Sequence, residues 1–214
     1  MRPVSTVVWF GREAGRQVAA LDATALDCDL READFRALKQ AQPGSLALLL
    51  AEADGDPALA AAAKAARILR KRGGGEAVVV LPPAPANPGP QALARLRRAA
   101  ELTSACAILP VRASWADAVR CAVEPLAVFG LVGVDPREIH ALFARPRAAL
   151  LHTSAAEVVP EARDVLVSCR LRPLREVEEA ARAVRDKAPT ARLVLANPET
   201  PPDDGPHTLA LSLL

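Results

Sequence analysis

The chain has 214 residues, 51% of them apolar and 24% charged, which is the ordinary composition of a globular protein with a buried core. A formal net charge of +2 gives no reason to expect nucleic acid or an anionic membrane as a partner. No apolar run is long enough for a membrane span, and the N-terminus lacks a secretory signal pattern. We therefore expect a cytoplasmic protein without membrane insertion.

The cysteines and histidines do not form a metal-binding pattern. The four cysteines lie far apart in apolar segments without a C-x-x-C pair: Cys28, Cys106, Cys121 and Cys169. This spacing predicts reduced, buried thiols rather than disulfides or zinc ligands. The three histidines have no partners at metal-ligand spacing: His140, His152 and His207. We predict that the protein holds no metal.

Short apolar runs alternate with helical patterns along the chain. The predicted strands are Thr6–Phe10, Thr24–Cys28, Leu46–Ala51, Ala77–Leu81, Cys106–Pro110, Val165–Cys169, Arg192–Ala196 and Thr208–Leu213. The predicted helices are Ala58–Arg72, Gln91–Leu102, Trp115–Val128, Pro136–Phe143 and Leu174–Lys187. Nearly continuous apolar runs are typical of strands buried on both faces. The pattern therefore predicts an α/β fold with a largely parallel, Rossmann-like sheet.

Several predicted helices have recognisable ends. Ser114 and Asp117 form a capping-box pattern before the helix that starts at Trp115, and Gly130 stands just past its end. In the last predicted helix, Glu178 and Arg182 have the i,i+4 spacing of a favourable ion pair.

Residues 118–156 resemble the central segment of the bacterial division GTPase FtsZ and its tubulin relatives. In that family a helix ends in Gly-Leu-Ile-Asn-x-Asp-x-x-Asp, whose carboxylates reach the nucleotide of the next subunit in a filament. The matching residues here are Gly130, Leu131, Val132, Val134, Asp135 and, at the second acidic position, Glu138. Gly133 stands where the family has asparagine. The resemblance makes Asp135 and Glu138 candidates for a vestigial catalytic contact.

The resemblance extends over most of the chain. The last strand–helix–strand section is similar to the family's Glu-Val-x-Glu-Ala-Ala helix and its flanking strands, with Glu176, Val177, Glu179, Ala180 and Ala181 matching. It implies a degenerate nucleotide-binding-like domain at residues 1–112, a central helix at 113–130 and a smaller C-terminal α/β domain at 131–214.

The phosphate-binding loop of that family is eroded in this sequence. FtsZ and tubulin bind GTP with a glycine-rich loop, because the backbone must approach the phosphates closely. At the equivalent place, residues 51–58 retain only Gly55, and Glu52, Asp54 and Asp56 bring three negative charges. Pro57 also removes one N–H donor. Gly55 is thus a vestigial candidate, and an acidic helix-capping loop is the alternative interpretation.

The other nucleotide contacts are also incomplete. Gly11 and Gly15 lie where the family has its first glycine-rich loop, and the neighbouring Arg12 and Arg16 face either an anion or solvent. Asp29 resembles the end of the family's Asn-Thr-Asp after the second strand. Between Asp29 and the next strand the chain is too short for the family's helix–loop–helix. We therefore expect no bound nucleotide.

Two interpretations of Asp135 remain open. As N-cap of the helix that begins at Pro136, it needs no nucleotide, and Glu138 is then the N3 residue of a capping box. The alternative is a retained contact between subunits.

Two function classes follow. The first is an FtsZ/tubulin-like protein of the cytoskeleton or of cell division, a degenerate GTPase without cofactor that associates with itself or with a filament-forming relative. The second is an α/β nucleotide-binding protein or GTPase with an atypical phosphate loop near Gly11 and Gly55. A receiver-like signalling domain, with Asp27 and Asp29 as its acids, is a third interpretation with poorly placed partners.

Overall fold

A computed structural model describes residues 5–10, 12–19, 21, 28–32, 46–51, 56–71, 76–128, 134–170, 172–199 and 206–214. The strands in this part of the chain are β1 Ser5–Phe10, β2 Cys28–Glu32, β3 Leu46–Ala51, β4 Ala77–Val80, β5 Cys106–Pro110, β6 Arg147–His152, β7 Asp164–Cys169, β8 Arg192–Ala196 and β9 Thr208–Leu213. The helices are α1 Arg12–Ala19, α2 Asp56–Lys71, α3 Pro90–Thr103, α4 Trp115–Ala127, α5 Pro136–Phe143 and α6 Leu174–Lys187, with a 3-10 turn at Ala155–Glu157. The predicted α/β class is confirmed.

The strands form one nine-stranded sheet in the order β2-β1-β3-β4-β5-β6-β9-β7-β8. Eight strands run in the same direction, and β9 alone is antiparallel, between β6 and β7. The predicted, largely parallel sheet is therefore confirmed. Hydrogen bonding is continuous from the strands of residues 1–112 to those of residues 131–214, and the division into domains around residues 113–130 stays a prediction.

Helices cover both faces of the sheet, which explains the continuous apolar runs. On the first face α1, α4 and α5 pack over one apolar layer. On the second face α2 and α3 pack over β1, β3, β4, β5 and β6, and α6 packs over β7, β8 and β9. All six residues of β3 are buried because both of its faces are covered.

The connection from β5 to β6 has an unusual hand. It steps along the sheet in the same direction as the β3–β4 and β4–β5 connections, but its helices α4 and α5 lie on the opposite face. Its hand is therefore opposite to theirs, whereas short parallel crossovers are almost always right-handed. The result is that α4 shares the first face with α1.

Three elements differ from the predictions. The segment predicted as a glycine loop forms α1 from Arg12 onward, and the second strand extends over Cys28–Glu32, while residues 24–27 of the predicted strand lie outside the described residues. The strand Arg147–His152 was not predicted, because its apolar run is only four residues, two of them alanine, between Arg147 and His152. The bounds of α5 and α6 match the predictions.

None of the described helices combines the length and apolar character that crossing a membrane requires.

Candidate functional site

The order of the strands reverses between β1 and β3. In open α/β sheets, ligands bind outside the carboxyl ends of the strands at such a reversal. Here β1 ends at Phe10, β3 ends at Ala51, and α1 begins at Arg12. Gly11 and Gly55, the glycines predicted for this place, lie outside the described residues, as do Glu52 and Asp54. The described elements at this place are β1, α1 and β3.

Gly15 lies inside α1 rather than in a loop. A Cβ atom at this position would lie 2.6 Å from Nε1 and 2.9 Å from Cδ1 of Trp9. Glycine is thus needed because α1 packs tightly over the indole ring of β1. This corrects the prediction that Gly15 belongs to a glycine-rich loop. Trp9 was missed by the sequence analysis, although a large aromatic residue six positions before a glycine was visible.

The two arginines near this glycine differ in their surroundings. Arg16 forms an ion pair with Glu13 of the same helix, with Nη2 and Oε2 2.8 Å apart, and both side chains are exposed. Arg12 is exposed at the start of α1. Glu13 in the first turn already places a carboxylate at the positive end of the helix dipole, where a phosphate would bind.

Asp29 is not at the carboxyl end of a strand. It is the second residue of β2, and its backbone is in register with Thr6 of β1. The first four residues, Cys-Asp-Leu-Arg, alternate between apolar and polar types, as expected for a strand at the edge of a sheet. This corrects the prediction that Asp29 follows the second strand, and the structure does not bring it to the ends of β1 and β3.

Asp135 and Glu138 form the exposed first turn of α5. Asp135 Oδ1 accepts a hydrogen bond from the Arg137 backbone N–H at 2.8 Å, so it is the N-cap of the helix. The cap bonds the N2 residue, whereas a capping box would bond the N–H of Glu138. Instead, the Glu138 N–H donates to the Asp135 carbonyl at 2.8 Å. The structural role of Asp135 is thus confirmed, and both carboxylates remain accessible.

A contact with the sheet holds α5 in place. His140 Nδ1 lies 2.5 Å from Glu76 Oε2, and both side chains are about three-quarters buried. Glu76 immediately precedes β4. On the inner side of α5, Ile139, Leu142 and Phe143 are fully buried. The exposed first turn is therefore mounted on a well-packed helix.

Charged residues also lie along α4. The predicted capping box is confirmed, since Ser114 Oγ accepts from the Asp117 N–H at 3.0 Å and Asp117 Oδ2 accepts from the Ser114 N–H at 2.8 Å. One turn on, Arg120 Nη1 lies 3.4 Å from Asp117 Oδ1. The acid Glu124 then pairs with Arg170, which follows β7. Glu124 was visible in the sequence as an acid in an apolar helix, but its partner is 46 positions away.

A second polar cluster lies at the carboxyl ends of β5 and β6. Arg112 has a left-handed backbone with φ 54°, and its Nη1 is 3.9 Å from Glu157 Oε1. His152, the last residue of β6, is buried, and burial lowers its pKa although the charge of Glu157 opposes this shift. A neutral imidazole at neutral pH follows. The cluster joins β5, β6 and the 3-10 turn.

The cysteines behave as predicted where the structure describes them. Cys106, Cys121 and Cys169 are free and buried. Burial raises the pKa of Cys106 to about 12 and also raises the pKa values of Cys121 and Cys169. These thiols are therefore protonated and unreactive as nucleophiles at neutral pH.

Within the described ranges, no three His, Cys, Asp or Glu side chains are grouped as metal ligands would be. No protein-family model matches the chain, and no curated protein sequence matches it either. The likeness to FtsZ and tubulin therefore rests on the residues quoted above.

Proposed function

We propose that this chain is a shortened FtsZ/tubulin-like protein that has lost GTP binding and hydrolysis. It acts by association with itself or with a filament-forming member of that family. The observation that carries this proposal is the junction between β1 and α1.

The junction leaves little backbone for a phosphate. A single residue separates Phe10, the end of β1, from Arg12, the start of α1. A phosphate cradle usually contains a glycine-rich turn before the helix, because the backbone must approach the phosphates closely. Here Gly15 is used to pack α1 on Trp9, and Glu13 supplies a carboxylate at the helix start. These features argue against a triphosphate in the crevice.

The first turn of α5 supports the association part of the proposal. Its carboxylates at Asp135 and Glu138 are exposed, and the buried residues of α5 hold that turn rigidly against the sheet. An exposed, well-supported acidic turn is available to a second protein without nucleotide. The resemblance to FtsZ places an intersubunit contact in the same segment.

The nucleotide part is tested by calorimetry with GTP and by measuring nucleotide in the purified protein. We expect no bound nucleotide and no heat of binding at micromolar concentrations. A micromolar affinity, about −8 kcal/mol, would contradict the proposal and favour the α/β nucleotide-binding alternative. In that case Gly11, Gly15 and Gly55 are the residues to change first.

The association part is tested by co-sedimentation with assembled FtsZ filaments, and by sedimentation of the protein alone. We expect Asp135→Asn to reduce co-sedimentation with FtsZ filaments without loss of stability, because asparagine is an equally good N-cap but lacks the charge. Glu157→Gln is the matched control, since it also removes an exposed carboxylate but lies on a different segment. A protein that neither self-associates nor co-sediments would contradict this part.

A further inference from the structure

The two edge strands of the sheet differ in their protection against pairing. β2 contains three charged residues: Asp29, Arg31 and Glu32. β8 contains only Arg192, and its Nε is 2.6 Å from Asp164 Oδ1 of the neighbouring strand. Edge strands commonly carry charges because their unpaired backbone groups otherwise bind another strand. Apart from Arg192, the residues of β8 are therefore apolar, and the charge of Arg192 is paired with Asp164 of β7.

The backbone of β8 offers a defined set of donors and acceptors. The Arg192 N–H donates to the Arg163 carbonyl at 2.9 Å. In this parallel register, Arg192, Val194 and Ala196 therefore direct their backbone N–H and C=O groups toward β7. Leu193 and Leu195 consequently direct their N–H and C=O groups away from β7, and no described strand pairs with them.

These groups are complementary to themselves. We consider a second β8 that runs antiparallel to the first, about a two-fold axis at Val194. Leu193 then lies opposite Leu195 of the partner subunit, and Leu195 lies opposite Leu193 of the partner subunit. Each such pair exchanges two N–H···O=C bonds, so about four new hydrogen bonds form. The side chains of Leu193 and Leu195 are partly buried on the second face, where they would also contact each other across the axis.

The helix above this edge has one exposed flank. The β7–β8 connection moves along the sheet in the same direction as the β3–β4 and β4–β5 connections, and its helix α6 lies on the same face as α2 and α3. All three connections therefore have the same hand, which is the usual right hand of parallel crossovers. In a right-handed helix placed this way, the flank of Leu174, Glu178 and Arg185 faces the free edge. The opposite flank, with Ala180 and Ala183, is partly buried near the 3-10 turn, whereas Leu174 is 53% exposed.

The charges of α6 are arranged for antiparallel contact. Its first half has three acids and one arginine, and its second half has three cations and one acid. Because α6 lies over both β7 and β8, the axes of the two α6 helices in such a pair would be about 10 Å apart. This is a normal distance between packed helices. Glu178 would then face Arg185 of the partner subunit. In the single chain, neither residue makes an ion pair with a described residue.

We propose that a second copy of this chain pairs antiparallel with β8 about a two-fold axis at Val194, with Glu178 of each α6 facing Arg185 of the partner subunit. This inference rests on the proposed function, because it takes from it that the protein acts by association. It names the partner as this chain itself and the surface as β8 and α6.

The test is sedimentation equilibrium of the full chain over a wide range of concentrations. We expect a particle of twice the 22.5 kDa monomer mass. Glu178→Arg and Arg185→Glu should each weaken the dimer roughly tenfold, because two ion pairs become two repulsions. The double variant E178R/R185E should restore the wild-type dissociation constant. A monomeric wild type, or a double variant as weak as the single ones, would overturn the proposal.

Two further variants separate this interface from general effects on folding. Glu179→Arg is the matched control, since it lies one position away on the solvent side of α6 and should leave the dimer unchanged. Leu195→Pro removes an N–H that points away from β7, and it should abolish the dimer while circular dichroism stays unchanged. A dimer that survives Leu195→Pro would overturn the pairing.

The calorimetric test with GTP is independent of these results. A dimer that binds GTP contradicts the proposed function alone. A monomer that binds no GTP and co-sediments with filaments contradicts the β8 interface alone.

Discussion

Glu124 of α4 and Arg170, directly after β7, form a buried ion pair. Glu124 Oε1 is 3.1 Å from Arg170 Nε, and the two side chains are 1% and 5% exposed. The Arg170 N–H also donates to the His207 carbonyl at 2.8 Å, next to β9. The pair thereby joins α4 to the part of the sheet that contains the antiparallel strand.

We expect Arg170→Met to lower the free energy of unfolding by about 3–5 kcal/mol, because it removes the arginine that pairs with the buried Glu124 carboxylate. Adding Glu124→Leu should recover most of this loss, since an apolar pair carries no desolvation penalty. Urea unfolding measures both. Arg175→Met, which breaks the exposed pair with Glu179, is the control and should cost less than about 1 kcal/mol.

Gly15→Ala should destabilise the protein by about 1–3 kcal/mol, because the new methyl group would overlap the indole of Trp9. The sign of the change in stability distinguishes packing from helix propensity. Alanine in a helix interior ordinarily stabilises a protein by about 1 kcal/mol relative to glycine. Gly89→Ala, at the N-cap of α3, is the control for the steric effect alone, because nothing lies within 4 Å of the added Cβ. Thermal unfolding that shows Gly15→Ala to be more stable than wild type would contradict the tight packing of α1 on β1.

Asp135→Ala should lower the free energy of unfolding by about 1 kcal/mol, because the Arg137 N–H loses its acceptor. Asp135→Asn should leave stability nearly unchanged. Chemical denaturation of both variants measures the capping role separately from association. If the alanine variant kept full stability and lost association, the interface role of Asp135 would be right and the capping role wrong.

Asp164 should make stability depend on pH in the acid range. Burial raises its pKa, but hydrogen bonds and charges from Arg147 and Arg192 outweigh burial and leave the pKa below its usual range. Because the folded-state pKa is depressed, the stabilisation is present above the unfolded value of about 3.9 and is lost as pH falls through the folded value. Asp164→Asn should therefore lower stability at neutral pH and reduce its change below about pH 4.

Urea unfolding at a series of pH values between neutral and acid measures this effect. Glu138→Gln, which removes an exposed carboxylate on α5, should keep the wild-type pH dependence. If Asp164→Asn kept it as well, another carboxylate would be responsible.

Local patterns in the sequence were sufficient for the elements whose signals are strong. The Ser114–Asp117 capping box was predicted from spacing, and so were both ends of α5 and α6, because prolines and caps act on neighbouring residues. The Glu178–Arg182 ion pair was wrong. The structure instead pairs Arg175 with Glu179 and Arg172 with Glu176, since each exposed acid on a helix has more than one cation within reach.

The candidate site depended more on long-range contacts. Gly15 looked like part of a phosphate loop, and only the approach of Trp9 across the β1–α1 junction shows that it is a packing glycine. Asp29 looked like the end of a strand, whereas the pairing of β2 with β1 places it near the start.

The sequence by itself determined the α/β class, the parallel character of the sheet and the buried state of Cys106, Cys121 and Cys169, because these follow from apolar periodicity along the chain. Only the tertiary structure decided the insertion of β9 between β6 and β7, the face that α4 covers and the exposed edge at β8. Strand order and helix face are settled by contacts between distant segments, and such contacts leave no local pattern in the sequence.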